Sequence, residues 1–293
     1  MVVLCVPGSI DDDILTSTLW DAGCLGLAEQ PERPGEVLAY FDAPFALTGV
    51  LEAGSWQAPD ETDYVARYNQ DVQPVRIGNL IIAPEHAEVN ESEGNTAIII
   101  RLDPGRAFGS GQHLTTQLAL EAIAQQAAQD IVTDTINNTN NTTNNTTNNT
   151  TAKRLLDVGA GSGILTIAAD LLGYQAQGID IDPETVPVAE ANARANSSQA
   201  VFTHTSLDTL PAAHYDIVVA NIYANVHAAL AADYARALVP GGTLLLTGIY
   251  LEDGVQTTLA GIAPWFDVRN ITRSDTWALI SASKPLVSAS KGK

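Results

Sequence analysis

The sequence predicts an α/β protein whose main part is a doubly wound, mostly parallel β-sheet. From residue 154 onward, short apolar strands alternate with helical segments, which is the pattern of a parallel sheet covered by helices on both faces. The run at 217–220 (Ile-Val-Val-Ala) contains no polar residue, as expected of a strand buried on both faces. The last two predicted strands have no helix between them, so we expect them to form an antiparallel hairpin at one edge.

The first 58 residues predict a separate, small α+β unit. A β-rich run spans 2–6, and the acids Asp11–Asp13 then open a helical pattern, because carboxylates stabilise the positive end of a helix dipole. Two further strands are expected at 24–28 and 36–41, where turn-rich residues separate two apolar runs.

The remaining chain predicts a helical linker at 59–75, a large domain at 76–285 and a flexible tail at 286–293. The linker prediction depends on the helical spacing of Tyr64, Val65 and Tyr68. The strands expected in the large domain are 79–83, 96–101, 154–158, 176–180, 200–203, 216–221, 243–249, 267–272 and 276–281, and the expected helices are 115–131, 163–172, 184–196, 224–238 and 255–263.

One segment inside the large domain, the insertion at 135–152, is of low complexity. Residues 137–151 are all Asn or Thr, without an apolar side chain to bury or a charge. Such a segment cannot offset the entropy lost on ordering. We therefore expect a solvent-exposed loop between a helix and a strand.

The charge balance excludes one class of partner. The chain of 293 residues has 14 Lys+Arg against 34 Asp+Glu, for a net charge of −20, so phosphate backbones and anionic membrane surfaces would repel it.

The two cysteines, Cys5 and Cys24, are too few for a disulfide framework and are expected to be buried apolar residues. The chain shows no signal peptide or apolar run of membrane-spanning length, which predicts a cytoplasmic protein.

The strongest chemical signal is the turn after the strand at 154–158, Asp157-Val158-Gly159-Ala160-Gly161-Ser162-Gly163. Glycines at a strand-to-helix turn let a ligand approach the backbone, and open α/β sheets bind ligands at this edge. The spacing is G-x-G-x-G, not the G-x-G-x-x-G of dinucleotide sites, and it suits a nucleoside carrying an amino acid better than a pyrophosphate. A simple tight connection between strand and helix would give the same pattern.

Polar residues end two other strands. Asp180 follows the next strand, 21 positions after Gly159, where a carboxylate can accept both ribose hydroxyls. Asp182 precedes Pro183 and is expected to be a helix N-cap instead. Asn221 ends the strand at 216–221, where it can accept a hydrogen bond from an amine and orient its lone pair, or else cap the following helix.

A glycine-rich segment before a helix, residues 103–116, completes the candidate site. It contains Phe108, Gly109, His113 and the pair Thr115-Thr116, and it is expected to fold over the mouth of the site. Either threonine is also a plausible N-cap. A structural or covering role is favoured for His113 over a role as a base. The remaining histidines, which lack metal-ligand spacing, are interpreted as ordinary polar or N-cap-region residues: His86, His204, His214 and His227.

Taken together, these four sites resemble the class I S-adenosylmethionine-dependent methyltransferases and, through the segment FGSG-x-H-x-T-T, the bacterial PrmA family, which methylates a ribosomal large-subunit protein. The resemblance implies a seven-stranded Rossmann-like methyltransferase sheet and a ferredoxin-like substrate-recognition domain at 1–58. It implies S-adenosylmethionine as cofactor and no metal. The implied cofactor contacts are Thr116, Gly159, Gly161, Asp180, Asn221, Phe108 and Gly109, with Asn221 also catalytic.

The implied reaction is methylation of lysine side chains and the N-terminal amine of ribosomal large-subunit protein eleven, by a monomer without nucleic-acid or membrane partners. The negative charge would favour docking of a basic protein. The insertion and Ser110, where the family usually has Thr, depart from its pattern. Three further functions stay open: a methyltransferase of another protein or a small amine, a nicotinamide-dependent dehydrogenase, and a non-catalytic binding protein.

Overall fold

The computed structural model describes residues 2–9, 12, 14–15, 18–19, 22–24, 26–29, 33–58, 73–84, 87, 89, 97–102, 111, 113–140 and 152–286. The chain divides into two compact units, Met1–Arg67 and Tyr68–Lys293. Most of the predicted linker, 59–72, lies outside the described residues, and its last residue, Val75, begins a strand instead of ending a helix.

The first unit contains an antiparallel sheet with the order β2-β3-β1-β4. Its strands are β1 (Val2–Pro7), β2 (Gly26–Glu29), β3 (Glu36–Phe41) and β4 (Ser55–Gln57), and a 3₁₀ turn spans Gly49–Leu51. This is the strand order of a ferredoxin-like sheet. Asp12 caps the helical segment after β1, because its Oδ1 accepts the amides of Ile14 and Leu15 at 3.0 and 3.1 Å.

The second unit contains the predicted seven-stranded sheet, with the order β10-β9-β8-β11-β12-β14-β13. Strands β8 to β12 pair in parallel, and β13 and β14 form the predicted antiparallel hairpin at the edge. The bounds of the strands are β8 (Arg154–Val158), β9 (Gln175–Asp180), β10 (Val201–His204), β11 (Tyr215–Asn221), β12 (Leu238–Tyr250), β13 (Asp267–Ser274) and β14 (Trp277–Ser283).

Helices cover both faces of this sheet, as the alternation of elements predicts. Because successive strand residues point to opposite faces, Leu155 packs into one core and Leu156 into the other. The first core includes α1, α2 and α3, and the second includes α4 and α5. The bounds of the helices are α1 (Leu114–Asn140), α2 (Ile164–Leu171), α3 (Thr185–Ala195), α4 (Ala224–Ala237) and α5 (Gly254–Ile262).

A separate three-stranded sheet packs against the helices of the first face. Its strands are β5 (Val75–Ile77), β6 (Leu80–Pro84) and β7 (Ile98–Leu102), with β6 parallel to β7. The buried side chains of Leu80, Ile82 and Ile100 join the core formed by α1 and α2. The side chain of Asn196 pairs with the backbone of Arg101, accepting its amide at 2.7 Å and donating to its carbonyl at 2.6 Å, which ties β7 to the end of α3.

Helix α1 is longer than the sequence predicts, because it continues through Asn140 into the low-complexity segment. The prediction of a loop starting at residue 135 was therefore wrong for 135–140. Neither Gly nor Pro interrupts the helix, and the hydroxyls of Thr133 and Thr135 donate to the carbonyls of Gln129 and Ile131 one turn earlier. These local hydrogen bonds accompany the extension at Thr133 and Thr135, whose side chains are exposed. Residues 141–151 lie outside the described part of the chain.

Asp130 fixes helix α1 to the sheet just before this extension. Its Oδ1 accepts Lys153 Nζ at 2.7 Å and Gln126 Nε2 at 2.9 Å, and its Oδ2 accepts the Tyr174 hydroxyl at 2.9 Å.

We expect Asp130→Ala to lower the free energy of unfolding by about 1–3 kcal/mol, with a fall in Tm of about 2–4 °C per kcal/mol. Exchange of 141–151 for a Gly/Ser linker of equal length should leave Tm and activity unchanged. Thermal unfolding of both variants checks this, and a larger effect from the linker exchange would contradict it.

No described helix is long and apolar enough to cross a bilayer. Cys5 and Cys24 are both buried and unoxidised, as expected of small apolar core residues.

Candidate active site

The predicted site residues at the strand ends lie where the order of the parallel strands reverses: Gly159, Gly161, Asp180 and Asn221. Strands β8, β9 and β10 follow one another to one side, and the chain then crosses to β11 and β12 on the other side of β8. Crevices at the carboxyl edge of such a switch point are the usual ligand sites of open α/β sheets. The turn after β8, the end of β9 and the end of β11 all lie at this edge.

The glycine turn after β8 is held to β9 by its own amides. The amides of Gly159 and Ala160 donate to the Ile179 carbonyl at 2.9 and 3.0 Å, and the amide of Gly161 donates to Asp180 Oδ2 at 2.9 Å. These amides are not available to a pyrophosphate, which weighs against a nicotinamide-dependent dehydrogenase. Gly159 has φ of +77°, and a Cβ there would lie 2.7 Å from Cγ2 of Ile222, so a side chain does not fit between the two.

Asp180 stands at the end of β9 with its carboxylate directed along the glycine turn. Besides the Gly161 amide, it accepts the amide of Asp182 through Oδ1 at 3.0 Å. Both oxygens keep lone pairs for further donors, because an ionised carboxylate offers about four acceptor sites. The prediction that Asp182 caps the next helix was wrong, because α3 begins at Thr185 and Glu184 holds its N-cap position. The Asp182 Oδ1 instead accepts the Glu184 amide at 2.9 Å in the turn that leads into α3.

Asp157, the last polar residue of β8, is fully buried below the turn. Its Oδ2 accepts the hydroxyl of Thr166 at 2.8 Å, whereas its Oδ1 has no hydrogen-bond partner. Burial raises the pKa of Asp157 to about 7, the hydrogen bond from Thr166 opposes this shift, and the nearby Asp180 carboxylate adds to it. A buried carboxylate with one unpaired oxygen at a ligand-binding edge indicates that a cationic or donor group of the ligand approaches it.

The raised pKa of Asp157 predicts a pH-dependent stability. Its ordinary value is 3.8, so its contribution to stability is fully present below about pH 4 and is lost as the pH rises through about 7. We expect the Tm of the wild type, measured without ligand, to fall relative to that of Asp157→Asn between pH 5 and 8. In Thr166→Val the same fall should move to higher pH, because an interaction that lowers the pKa is gone. A constant Tm difference across this range would contradict the assignment.

Asn221 and Thr116 lie together on the other side of the glycine turn. Asn221 Nδ2 donates to Thr116 Oγ1 at 3.2 Å, although the two residues are 105 positions apart in the sequence. This bond fixes the orientation of the amide and leaves Oδ1 as an acceptor for a ligand. Tyr223 holds the N-cap position of α4, so the interpretation of Asn221 as a helix cap was wrong.

The N-cap interpretation was also wrong for Thr115 and Thr116, because α1 begins at Leu114 and both threonines are buried. His113 caps the helix instead. Its Nδ1 lies 2.7 Å from Thr115 Oγ1 and accepts the Thr115 amide at 3.3 Å. This assigns His113 the structural role that the sequence favoured over that of a base.

An aromatic row stands beside the Asn221–Thr116 pair, and the sequence did not predict it. The rings of His113 and Trp277 lie 5.0 Å apart, and those of Trp277 and Tyr250 lie 5.7 Å apart, both edge to face. Trp277 and Tyr250 are neighbours across β14 and β12. Tyr223, two residues after Asn221, is 77% exposed at the same edge. Only the pairing of distant strands brings these rings together, so no local pattern could have indicated them.

The residues present fit S-adenosylmethionine. The carboxylate of Asp180 can accept ribose hydroxyls, and the unpaired Oδ1 of Asp157 can accept a hydrogen bond from an amino group, so the two acids match two polar parts of that molecule. Of the predicted cofactor contacts, the structure brings together Thr116 with Asn221 and Gly161 with Asp180. Gly159 faces Ile222, which follows Asn221 in the sequence. Phe108 and Gly109 lie outside the described residues.

Comparison with known proteins gives the same assignment. The family described as ribosomal protein L11 methyltransferase (PrmA) matches residues 29–285. The ribosomal protein L11 methyltransferase of Thermus thermophilus is 39% identical over 253 residues, which cover 85% of this chain and 87% of that protein. That of Deinococcus radiodurans is 36% identical over 258 residues, 85% of each. The crystal structure of ribosomal protein L11 methylase from Lactobacillus delbrueckii subsp. bulgaricus has a TM-score of 0.58 at 29% identity, covering 73% of this chain and 100% of that one.

Proposed function

Because the chain belongs to the PrmA family of ribosomal protein L11 methyltransferases, we propose that it transfers methyl groups from S-adenosylmethionine to lysine side chains and the N-terminal amine of ribosomal protein L11. The observation that carries this proposal is the Asn221–Thr116 pair, which fixes an amide oxygen beside the glycine turn. An oriented acceptor at this place suits an incoming amine. The cofactor supplies an electrophilic methyl group on a positively charged sulfur.

The cofactor is assigned to the glycine turn and the two carboxylates around it. Asp180 accepts the ribose hydroxyls, Gly159 and Gly161 of the turn lie beside the ligand without side chains of their own, and Asp157 faces its amino group. The Thr116 hydroxyl accepts the hydrogen bond from Asn221 Nδ2 and so fixes the orientation of the Asn221 amide. These roles follow from the acceptor inventory of each side chain.

The amine must lose its proton before it attacks the methyl carbon. A lysine amine with a pKa near 10.4 costs about 4–5 kcal/mol to deprotonate at pH 7. Desolvation against the row formed by His113, Trp277 and Tyr250, next to a positive charge, lowers this pKa, because both effects disfavour the ammonium form. Asn221 Oδ1 then accepts an N–H of the neutral amine and directs its lone pair in line with the breaking bond.

The first unit is proposed to recognise the substrate protein. Its four-stranded sheet carries none of the residues of the site described above. We further propose that the enzyme acts as a cytoplasmic monomer without a nucleic-acid partner, since a net charge of −20 repels phosphate and favours a basic protein. If charge guides docking, the Michaelis constant for the substrate protein should rise with salt concentration.

A transfer assay with a labelled methyl group tests the proposal. Purified, unmethylated ribosomal protein L11 is offered beside a mixture of other ribosomal proteins and a small amine, and mass spectrometry locates the methyl groups. We expect label on lysines and the N-terminus of L11 only. Label on another protein or on the small amine alone would refute the substrate. Calorimetry then tests the two remaining functions: binding of NADH without S-adenosylmethionine would favour a dehydrogenase, and binding without any transfer a non-catalytic protein.

A further inference from the structure

His227 packs against the segment that follows Asn221 in the chain. From the sequence, this histidine is interpreted as an ordinary polar or N-cap-region residue. It is fully buried in the first turn of α4, next to Tyr234 and Thr247, which are also fully buried. Its Nε2 lies 2.8 Å from the Thr247 carbonyl oxygen, and its Nδ1 lies 3.3 Å from the Tyr234 hydroxyl.

These partners define the protonation of the ring. A carbonyl oxygen only accepts, so Nε2 carries the hydrogen. Burial lowers the pKa of His227 to about 4, so the ring is neutral at physiological pH and Nδ1 accepts a hydrogen bond. Burial also raises the pKa of Tyr234, whose hydroxyl therefore stays protonated and donates to Nδ1. Both ring nitrogens are used in this arrangement.

The bonds of His227 converge on the residues just after Asn221. The Thr247 carbonyl, which accepts His227 Nε2, also accepts the amide of Ile222 at 3.2 Å, and Thr247 is the register partner of Asn221 between β11 and β12. The His227 amide donates to the Tyr223 carbonyl at 3.1 Å. His227 therefore holds this segment from both its side chain and its backbone.

Gly248 of β12 packs directly against the backbone of Ile222, in the segment that follows Asn221. It has φ of +80°, and a Cβ at this position would overlap the Ile222 carbonyl oxygen. The segment thus has little room to move toward β12. Ile222 in turn touches the glycine turn, since a Cβ at Gly159 would lie 2.7 Å from its Cγ2. A small shift of Ile222 is therefore passed to Asn221 on one side and to the cofactor turn on the other.

We propose that His227 is a positioning residue for methyl transfer: through the Thr247 carbonyl it fixes Ile222, and thereby the orientation of Asn221 toward the amine. This inference rests on the proposed role of Asn221. It adds a residue remote from substrate and cofactor, whose side chain acts through the hydrogen bond that Nε2 donates to the Thr247 carbonyl. Misplacement of a reacting group by about 1 Å can cost about 100-fold in rate, so a remote bond of this kind can matter.

The test compares His227→Leu, which removes the donor, with His227→Gln, whose side-chain amide can still reach the Thr247 carbonyl. We expect kcat to fall roughly 10- to 100-fold in the first variant and to stay within about fivefold of wild type in the second, with the dissociation constant for S-adenosylmethionine changed less than about threefold in both. Tyr234→Phe is the matched control. It disturbs the same buried ring but keeps the bond to Thr247, and it should retain kcat within about twofold.

A second measurement is independent of the substrate. The side-chain amide signal of Asn221, assigned as the signal missing from a ¹⁵N-asparagine spectrum of Asn221→Ala, should shift in His227→Leu and keep its position in Tyr234→Phe. An unchanged signal, equal losses of kcat in the Leu and Gln variants, or a loss confined to cofactor binding would overturn the proposal. If the wild type binds S-adenosylmethionine but does not label ribosomal protein L11, the proposed substrate fails instead, and the amide signal still decides the role of His227.

Discussion

Replacement of Asn221 by alanine is expected to lower kcat for methyl transfer by about 100- to 1000-fold, the range found when one preorganised polar group is removed from an active site. Asn221 has its Nδ2 bound to Thr116 Oγ1, so the amide oxygen is held in one orientation before the amine arrives. Alanine leaves neither the acceptor nor the contact with Thr116. Single-turnover rates with saturating S-adenosylmethionine measure the loss.

The fold should not be affected, because Asn221 does not cap helix α4. Asn270 supplies the matched control: its Nδ2 donates to Thr272 Oγ1 at 3.1 Å, but it lies exposed on the edge strand β13. Asn270→Ala should retain full activity. Thr116→Val, which removes only the hydroxyl that orients the amide, should give an intermediate loss. A kcat of Asn221→Ala within about twofold of the wild type would show that the amide does not hold the amine.

Replacement of Asp180 by alanine is expected to weaken S-adenosylmethionine binding by about 100-fold or more. This magnitude follows from two hydrogen bonds to an ionised carboxylate at about 1.5–3 kcal/mol each, with about tenfold in affinity for every 1.4 kcal/mol. The same change removes the acceptor of the Gly161 amide, which loosens the glycine turn. Calorimetric titration measures the dissociation constant.

The Asp182→Ala variant, two positions later, is the control that distinguishes an effect on cofactor binding from an effect on local stability. Its carboxylate accepts the Glu184 amide in the turn before α3, so Asp182→Ala should lower the stability by about 1 kcal/mol, as the loss of one hydrogen bond usually does. Its affinity for S-adenosylmethionine should remain that of the wild type. Equal affinities of the two alanine variants would remove Asp180 from the cofactor site.

The repeating elements of the sheet could be predicted from the sequence, because hydrophobic alternation and glycine turns are local signals. Strand β3 of the first unit and strand β8 of the large sheet have the predicted bounds. The other strands of the large sheet differ from the prediction mainly at their ends. Strand β12 is the largest difference: it begins at Leu238 and includes Pro240 and two glycines, which sequence rules place in a turn. The interruption is a bulge in the ladder with β11, since Tyr215 pairs with Leu238 and Ile217 pairs next with Thr243. The Gly241 amide donates to the Lys284 carbonyl at 2.9 Å.

The sequence predicts site residues at positions where a strand ends, because the end of a strand is a local feature of the sequence. Gly159, Asp180 and Asn221 each end a strand or follow it, and chain position alone brings such residues to one edge. The aromatic row, the cap formed by His113 and the bonds of His227 depend on which side chains of distant segments meet. Three-dimensional packing decides those contacts, and no spacing in one sequence encodes them. The same holds for the small sheet of β5, β6 and β7, whose strands have no helix pattern to place them.

The position of the low-complexity segment has a practical consequence. The segment ends just before β8, whose five residues at about 3.3 Å each separate its start from the glycine turn by about 16 Å. The bonds of Asp130 to Lys153 and Tyr174 secure the scaffold at that distant edge. A fluorescent protein or affinity tether placed in 141–151 would therefore join the enzyme just before β8, at the edge of the sheet away from the glycine turn, and should leave turnover unchanged.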